Sequence, residues 1–387
     1  MPVSVILNTL LQDSIHLGRI NSLTPLIESI ICTKKTRLTV VGRALSGKLG
    51  TQERSCIRRV DRCLANTYYQ NHSKDIYTSL SHWLLEHYPN PIIIIDWSCA
   101  PNSSQRFEQG SFCILRATLA SIGRGITLYE ELHEKQYENN PKIHHQFLEH
   151  LKKVIPSQCK PVIVTDAGFK NPWFKAVASL GWDYVGRIRG LTSLHDGTNY
   201  LPVKQWFERI KNKAEYLGEL FVAKTNPMKT HCYSYKYPLK GRKKYGRIKH
   251  DNVAIKASQG YREPWILVSS LTKQDNPGMI IQIYKHRMTI EENFRDTKSP
   301  RFGFGLKENV CLSPERFSVW LMLVALATLI AFYVGQWIER IGLHRQCQAN
   351  SYKHKRVLSF VFIGCQAIKN NKVPIFDIRA QTIGINL

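Results

Sequence analysis

The chain has 387 residues, of which 43% are hydrophobic and 21% charged, the proportions of an ordinary folded protein with room for two or three domains. This composition excludes a chain that is disordered along its whole length. The 54 Lys and Arg residues outnumber the 29 Asp and Glu residues, and the formal net charge of +25 favours a polyanionic partner. Nucleic acid is the first candidate, and an anionic membrane surface is the second.

Ten cysteines are scattered along the chain without a CxxC pair or the Cys and His spacing of a zinc module. We therefore expect reduced thiols in a cytoplasmic protein. The N-terminal segment MPVSVILNTLLQDS has no basic residue before its apolar stretch and no small-residue cleavage site, so it is not typical of a signal peptide.

The first 85 residues predict helices, because apolar residues recur there at helical spacing. Thr51 is a candidate N-cap for one of them. That helix would carry Arg54, Arg58 and Arg62 four residues apart on one face. A recognition helix that contacts DNA has such a face, and so does a solvated basic helix. The sequence leaves both interpretations open.

A β-rich pattern begins near residue 90, in short runs of β-branched and other apolar residues. Three strands followed by alternating helix and strand is the order of an RNase H-like sheet in a mixed α/β core. Further strand-like segments lie between about 190 and 275, around a basic segment at 241–250 that is either a DNA backbone contact or a solvated loop. The predicted core strands are 91–97, 112–119, 125–132, 161–166 and 183–188, and the predicted helices are 144–155 and 171–180.

The last third of the chain predicts mainly helices. A long amphipathic helix is expected over 279–298, and Pro300 ends it. Residues 317–335 are 19 residues without a charge, long enough to cross a bilayer or to form a buried core helix. The C-terminal residues are basic, with a possible strand near the end.

Each of two aspartates ends a continuous β-rich run. Asp96 follows four isoleucines, and Asp166 follows the segment VIVT. Such runs are typical of strands buried on both faces, and the carboxyl ends of these strands deliver ligands in α/β proteins. A single aspartate at this place is more often a turn or a helix cap, so the interpretation depends on the pair.

A third carboxylate lies in the predicted helix 279–298. Tyr284, Arg287, Glu291 and Lys298 are spaced by three, four and seven residues. On a continuous helix this spacing places them within an arc of about 60°. Apolar residues beside the arc allow the helix to pack on a sheet while Glu291 faces a metal ion, between cations that bind phosphate. An amphipathic helix with internal ion pairs is the alternative.

These elements together resemble a known family. The pattern Tyr284-x2-Arg287-x3-Glu291-x6-Lys298, read with IIIIDWS and VIVTDAGF, is similar to the signature of the family-four insertion-sequence transposases. This cut-and-paste group includes the enzyme of the composite tetracycline-resistance transposon. The similarity covers most of the chain, from the basic N-terminal helices through the segments YREPW and RMTIEENFRDTKSP.

The resemblance implies a DDE active site on an RNase H-like core, with a β-rich insertion between the second aspartate and the glutamate. Asp96, Asp166 and Glu291 are then the carboxylate ligands of Mg²⁺, which prefers oxygen ligands and for which Mn²⁺ is the expected substitute. In this family one site nicks the transposon end, forms and opens a hairpin, and joins the end to target DNA. Water or a 3′-hydroxyl is the nucleophile.

Hairpin formation distorts the duplex, so a base must leave the stack and find an aromatic platform. The resemblance implies that Trp265 stacks on this base and that Met288 wedges into the gap. It assigns DNA contacts to Tyr284, Arg287 and Lys298. The residues alone also allow Trp265 and Met288 to be packing residues.

We expect a helical DNA-binding domain at 1–85, a catalytic domain at 86–310 with its insertion at about 190–275, and a mainly helical C-terminal region at 311–387. The expected partner is double-stranded DNA, as terminal inverted repeats and as target, bound by a homodimer in a two-fold paired-end complex. Residues 317–335 are then expected in the core of a cytoplasmic, nucleoid-associated bacterial protein and not in a membrane. A DNA-binding protein with an inactive catalytic fold and a membrane-associated basic protein are the alternatives.

Overall fold

The computed structural model describes residues 2–100, 112–237, 263–309, 313–349, 351–352 and 355–373. Within these ranges the predicted mixed α/β class is confirmed, because many helices accompany one large mixed sheet. The basic segment 241–250 and the possible C-terminal strand lie outside the described residues.

The helices of the N-terminal region are α1 (Pro2–Leu11), α2 (Leu17–Thr33), α3 (Leu38–Leu49), α4 (Glu53–Leu64), α5 (Thr67–Asn71) and α6 (Ser73–Leu85). The later helices are α7 (Pro141–Val154), α8 (Asn171–Ser179), α9 (Val203–Trp206), α10 (Pro277–Lys285), α11 (Met288–Lys298), α12 (Pro314–Arg340) and α13 (Phe360–Lys369). The strands are β1 (Ile92–Cys99), β2 (Phe112–Ser121), β3 (Arg124–Glu134), β4 (Val162–Thr165), β5 (Asp183–Ile188), β6 (Ser193–His195), β7 (Tyr200–Pro202), β8 (Glu215–Val222), β9 (Met228–Tyr235) and β10 (Trp265–Ser269).

The sheet has the strand order β3-β2-β1-β4-β5-β10-β9-β8-β6-β7. Strands β1, β2 and β3 are antiparallel neighbours, whereas β4 and β5 run parallel to β1. Helix α7 connects β3 to β4, and helix α8 connects β4 to β5, in the alternation predicted from the sequence. Strand β10 pairs antiparallel with β5 and continues the sheet into β9 and β8. The strands after residue 190 therefore extend the same sheet.

The central strands are buried because their sequences are apolar on both faces. The four isoleucines that open β1 are at most 3% exposed, and every residue of β2 is buried. Burial of an aliphatic side chain of this size stabilises the fold by roughly 1.5–3 kcal/mol. This burial fixes the register of the strands. The register in turn determines which polar residues at the strand ends lie next to each other.

Helices α3 and α4 form a closely packed pair joined by a short turn. Helix α3 ends at Gly50, whose φ of 63° suits glycine, and α4 begins three residues later. The helices approach each other at Gly42, where an added Cβ would lie 2.6 Å from the Ile57 side chain. The predicted cap at Thr51 is wrong, because Gln52 occupies the N-cap position and makes no side-chain capping hydrogen bond. Packing against α3 thus replaces capping as the support for this end of α4.

The single helix predicted over 279–298 is also wrong, since α10 and α11 are separated at His286 and Arg287. At the break, Arg287 N donates to Tyr284 O at 3.0 Å, and Thr289 N donates to His286 O at 2.9 Å. The Thr289 hydroxyl also donates to His286 O at 2.8 Å and stabilises the turn. These bonds span three residues, so the chain advances about 120° per residue instead of about 100°. The angular positions expected for one continuous helix therefore shift at the break, so that Glu291 and Lys298 are rotated relative to Tyr284 and Arg287.

Helix α12 is long and apolar enough to cross a membrane, with a mean hydropathy of 2.3 over an 18-residue stretch. In the structure, 94% of that stretch is buried inside the chain itself. Helix α13 packs closely against it at Gly364, where an added Cβ would lie 1.8 Å from Ala331 O. Helix α2 and strand β3 are further neighbours. Residues 317–335 therefore lie in the core of the fold.

Candidate active site

The two aspartates lie side by side, one within β1 and one directly after the adjacent parallel strand β4. Strand β1 pairs with β4 so that Ile94 stands opposite Val164, and the same register places Asp166 level with Asp96. Residues at one level of neighbouring strands point to the same face of the sheet, with the strands about 4.8 Å apart. Asp96 lies within β1, and Asp166 directly follows β4. The buried strands thus bring together two carboxylates that are distant in sequence.

Burial and the neighbouring negative charge of Asp166 make the Asp96 carboxylate costly to ionise. Desolvation raises the pKa of Asp96 to about 7, the negative charge of Asp166 adds to the rise, and the Arg287 cation opposes it. Backbone amides compensate in part, because Trp97 N donates to Asp96 Oδ1 at 2.8 Å and Gly168 N donates to Asp166 Oδ1 at 2.7 Å. Two adjacent carboxylates fit a divalent cation that prefers oxygen ligands.

Glu291 lies on α11, and its negative charge also contributes to the raised pKa of Asp96. Its Oε1 atom accepts a hydrogen bond from Arg287 Nη2 at 2.6 Å, and its side chain is 42% exposed. Among the described residues, no group of three or more His, Cys, Asp or Glu side chains is placed to hold a metal ion. Asp96 and Asp166 therefore lie together, whereas Glu291 is paired with Arg287.

Comparison with known proteins identifies the family. Residues 87–330, which include both aspartates and Glu291, match the family described as the transposase DDE domain. The chain belongs to this transposase family. DDE transposases are enzymes that act on DNA, and they use divalent metal ions.

One solved structure similar to this transposase is the cryo-EM structure of piggyBac transposase in a synaptic complex with hairpin DNA. The two chains are 11% identical, the match covers 98% of this chain and 84% of the other, and the TM-score is 0.38. No curated protein matches the transposase. The family assignment therefore rests on the domain match.

Two residues of the sequence signature are buried in the transposase. The Lys298 ammonium group donates to Ser98 Oγ at 2.6 Å and to Cys99 O at 2.5 Å, which ties the end of α11 to the end of β1. Burial lowers the pKa of Lys298 to about 7, and the Arg116 cation contributes. Tyr284 is 3% exposed, and burial raises its pKa to about 12. Both side chains hold protein elements together, and their contacts with DNA stay predictions.

The two residues predicted to handle an extruded base differ in exposure. Met288 opens α11 and is 44% exposed. Trp265 opens β10, is partly buried, and meets the Tyr284 ring edge-on with centroids 5.0 Å apart. The Tyr235 and Tyr237 rings flank Trp265, with centroids at 5.9 Å and 6.4 Å. Trp265 thus belongs to an aromatic cluster that reaches solvent at the exposed Tyr237.

A buried polar network, which sequence reasoning missed, fixes α11 on the sheet of the transposase. Arg116 of β2 is 1% exposed, and it donates to Glu130 Oε2 from Nη2 at 2.5 Å and from Nε at 2.8 Å. Its Nη1 atom donates to Asn293 Oδ1 at 2.7 Å, and Asn293 Nδ2 donates to Gly125 O at 3.0 Å. Because Asn293 lies two residues after Glu291, the network positions the Glu291 helix over the strands. The feature of the sequence that could have indicated this network is the one arginine within the apolar segment FCILRATLAS.

Helix α4 of the transposase turns its apolar residues inward and its basic residues toward solvent. The inward residues are Cys56, Val60 and Leu64. The exposed basic residues are Arg54, Arg58, Arg59 and Arg62. This basic surface belongs to the N-terminal helices, whereas the carboxylates lie on the sheet, so the structure does not join the two sets of predicted residues in one site.

Proposed function

We propose that the chain is a cut-and-paste transposase of the family-four insertion-sequence group, with an RNase H-like core. The observation that carries this proposal is the pair of adjacent carboxylates, one within β1 and one directly after β4, with Glu291 close enough to affect the pKa of Asp96. The strand order β3-β2-β1-β4-β5, with three antiparallel strands followed by two parallel ones, supports the RNase H-like core.

Asp96, Asp166 and Glu291 would hold Mg²⁺, with Mn²⁺ as a substitute, because these ions take carboxylate oxygens as ligands. Bound metal ions of this kind activate the attacking oxygen and stabilise the leaving oxygen of a phosphodiester. Arg287 keeps Glu291 beside the aspartates and contributes positive charge where DNA phosphates would lie. The buried strands behind the carboxylates exclude water from one side of the reaction.

The test is a duplex that carries the inverted repeats flanking the reading frame, incubated with the full chain and Mg²⁺. We expect a nick that leaves a 3′-hydroxyl at the transposon end, then a hairpin, and then a product joined to target DNA, all separated on denaturing gels. DNA that is bound but never cut would instead indicate a DNA-binding protein with an inactive catalytic fold. Recovery of the chain in the membrane fraction would favour the membrane-associated alternative.

We further propose that two copies act together on paired transposon ends, because both ends must be cut and joined in one two-fold complex. Residues 1–85 would bind the ends, residues 86–310 would carry catalysis with an insertion at about 190–275, and residues 311–387 would form a mainly helical C-terminal region. The reaction needs access to the bacterial nucleoid, so we assign the enzyme to the cytoplasm and not to a membrane.

Replacement of Trp265 by alanine is expected to separate hairpin formation from the first nick. The nick needs only an undistorted strand, so its rate should stay near that of the wild type. Hairpin formation should slow by about tenfold to a hundredfold, because stacking on one base contributes roughly 1–3 kcal/mol. Both rates are measured on the same end-containing duplex.

An abasic nucleotide at the flipped position is the control for Trp265→Ala, since no base remains there to be held. On that substrate the variant should match the wild type. Trp206→Ala, which changes another partly buried tryptophan, should affect both steps alike. Equal slowing of both steps by Trp265→Ala, without rescue on the abasic substrate, would show that Trp265 is a packing residue whose loss costs about 3–5 kcal/mol.

Removal of Arg58 and Arg62 together, as glutamines, is expected to weaken binding to the end duplex. If both side chains contact phosphate, the slope of log K against log salt should fall by up to about two units. The matched control is Lys152→Gln with Lys153→Gln, which removes the same charge from an exposed part of α7. Equal affinities and salt slopes for the two double variants would leave α4 as a solvated basic helix.

A further inference from the structure

An arginine on β5 shares the level of the two aspartates. In the parallel pairing of β4 with β5, Thr165 stands opposite Gly186, so the next residues on the two strands, Asp166 and Arg187, are level. Asp96 of β1, Asp166 directly after β4, and Arg187 of β5 thus lie at one level across this part of the sheet. The charges of all three act on the buried Tyr284, so their side chains lie on the same face. The sequence signature assigns no role to Arg187.

The Arg187 side chain is mostly buried, yet two of its donors are unsatisfied. It is 13% exposed, and its Nε and Nη2 atoms have no hydrogen-bond partner within the described ranges. These two nitrogens form one edge of the guanidinium group, the edge that meets a phosphate or a carboxylate through two parallel hydrogen bonds. Buried charged donors without a partner are costly, so this edge is suited to an anion that binds during function.

The neighbouring arginines already have carboxylate partners. Arg189 Nε donates to Glu263 Oε2 at 2.5 Å, whereas Arg187 Nη2 lies 3.8 Å from the same oxygen, beyond hydrogen-bond distance. Arg287 is paired with Glu291 at 2.6 Å. Burial lowers the pKa of Arg187, and the Arg189 and Arg287 cations lower it further. Of these three arginines, Arg187 is the one without a hydrogen-bonded carboxylate within the described residues.

We propose that Arg187 is a positioning residue whose Nε and Nη2 atoms bind the non-bridging oxygens of a DNA phosphate within one nucleotide of the bond that is cut. Arg187 lies one β-strand beyond the carboxylate pair, a spacing of about 4.8 Å. Successive nucleotides of one DNA strand are about 3.4 Å apart along the helix axis, a step of the same order. The inference rests on the proposed function, since it assumes that this face of the sheet receives the strand that is cut.

The test combines substitutions at Arg187 with single neutral methylphosphonates placed at each phosphate near the cleavage position. Arg187→Gln is expected to slow nicking of the unmodified duplex by about tenfold to a hundredfold. With a methylphosphonate at the contacted phosphate, the wild type should nick about as slowly as Arg187→Gln nicks the unmodified duplex. On that modified duplex Arg187→Gln should be hardly slower than the wild type, because the contact is already gone. Arg187→Lys should lie between the two, since an ammonium group keeps the charge without the two parallel hydrogen bonds.

Arg189→Gln is the matched control, because it removes an arginine from the same strand end that is already paired with Glu263, and it should show no position-dependent coupling. If Arg187 only balances the charge of Glu263, then the double variant Arg187→Gln with Glu263→Gln will nick DNA at a restored rate, and the inference is overturned. If Arg187→Gln unfolds in a thermal melt, the methylphosphonate scan of the wild type against Arg187→Lys decides instead. A scan without any coupled position also overturns the inference, whereas a wild type that never nicks overturns the proposed function and the inference with it.

Discussion

Asp96→Asn and Asp166→Asn are each expected to lower the rate of DNA nicking by at least about a thousandfold, while binding to the end duplex stays near that of the wild type. Each change removes a carboxylate that would hold the metal, and we expect neither residue to be a main anchor for DNA. Asparagine has nearly the shape of aspartate, so the strands keep their register. We expect the same result for Glu291→Gln, measured as single-turnover nicking in Mg²⁺ with binding followed by gel shift.

Thermal unfolding without divalent metal distinguishes this loss of activity from misfolding. In the folded chain the pKa of Asp96 is raised from 3.8 to about 7, so above pH 7 the ionised carboxylate destabilises the fold relative to the unfolded chain. Below about pH 4 the carboxyl group is protonated in both states, and this penalty disappears. Asp96→Asn should therefore raise the unfolding temperature at pH 8 and change it little near pH 4.

Asp75→Asn is the control for these variants, because Asp75 is an exposed carboxylate that pairs with His72 on the protein surface. It should nick DNA at the wild-type rate. Nicking close to the wild-type rate by any variant of the three candidate ligands would show that the residue concerned does not hold the metal.

Arg116→Met is expected to lower the free energy of unfolding by about 3–5 kcal/mol, because it leaves the buried charge of Glu130 without its partner. Both side chains of this ion pair are 1% exposed. The measurement is urea unfolding at neutral pH. The double variant with Glu130→Gln should be more stable than Arg116→Met alone, since no buried charge remains and the amide can still accept a hydrogen bond from Tyr77.

Arg43→Met provides the comparison at an exposed ion pair, because the side chains of Arg43 and Glu53 are 58% and 61% exposed. That change should cost at most about 1 kcal/mol. If Arg116→Met costs no more than Arg43→Met, the buried pair does not stabilise α11 on the sheet, and the role given above to the Arg116 network is wrong.

The sequence predicts the placement of the two aspartates, in and directly after buried strands, for a physical reason. A strand buried on both faces must be apolar along its length, so the isoleucines before Asp96 and the run before Asp166 are visible without a structure. The level of the two residues follows from strand register, which the same apolar runs specify. The mixed α/β class could be read from the sequence for this reason.

The partners of buried charges could not be predicted from apolar runs in the sequence. Arg116 meets Glu130 and Asn293, and Lys298 meets the end of β1, through contacts between segments that are distant along the chain. The break at His286 was equally hidden, because the sequence there contains neither glycine nor proline and the turn depends on hydrogen bonds that only the folded backbone reveals. Local pattern therefore gave the types of residue at the site, and tertiary packing decided their orientation.

The pairing of β10 with β5 has a consequence for how the chain avoids aggregation. Without the strands that follow residue 190, β5 would present a row of unpaired backbone amides and carbonyls along the edge of a sheet whose neighbouring strands are strongly apolar. Such an edge readily recruits strands from other chains. Antiparallel pairing by residues 265–269 occupies it, and among the described strands this side of the sheet ends at β7, a strand of three residues that ends in proline. The strands after residue 190 thus cover an edge of β5 that would otherwise favour self-association.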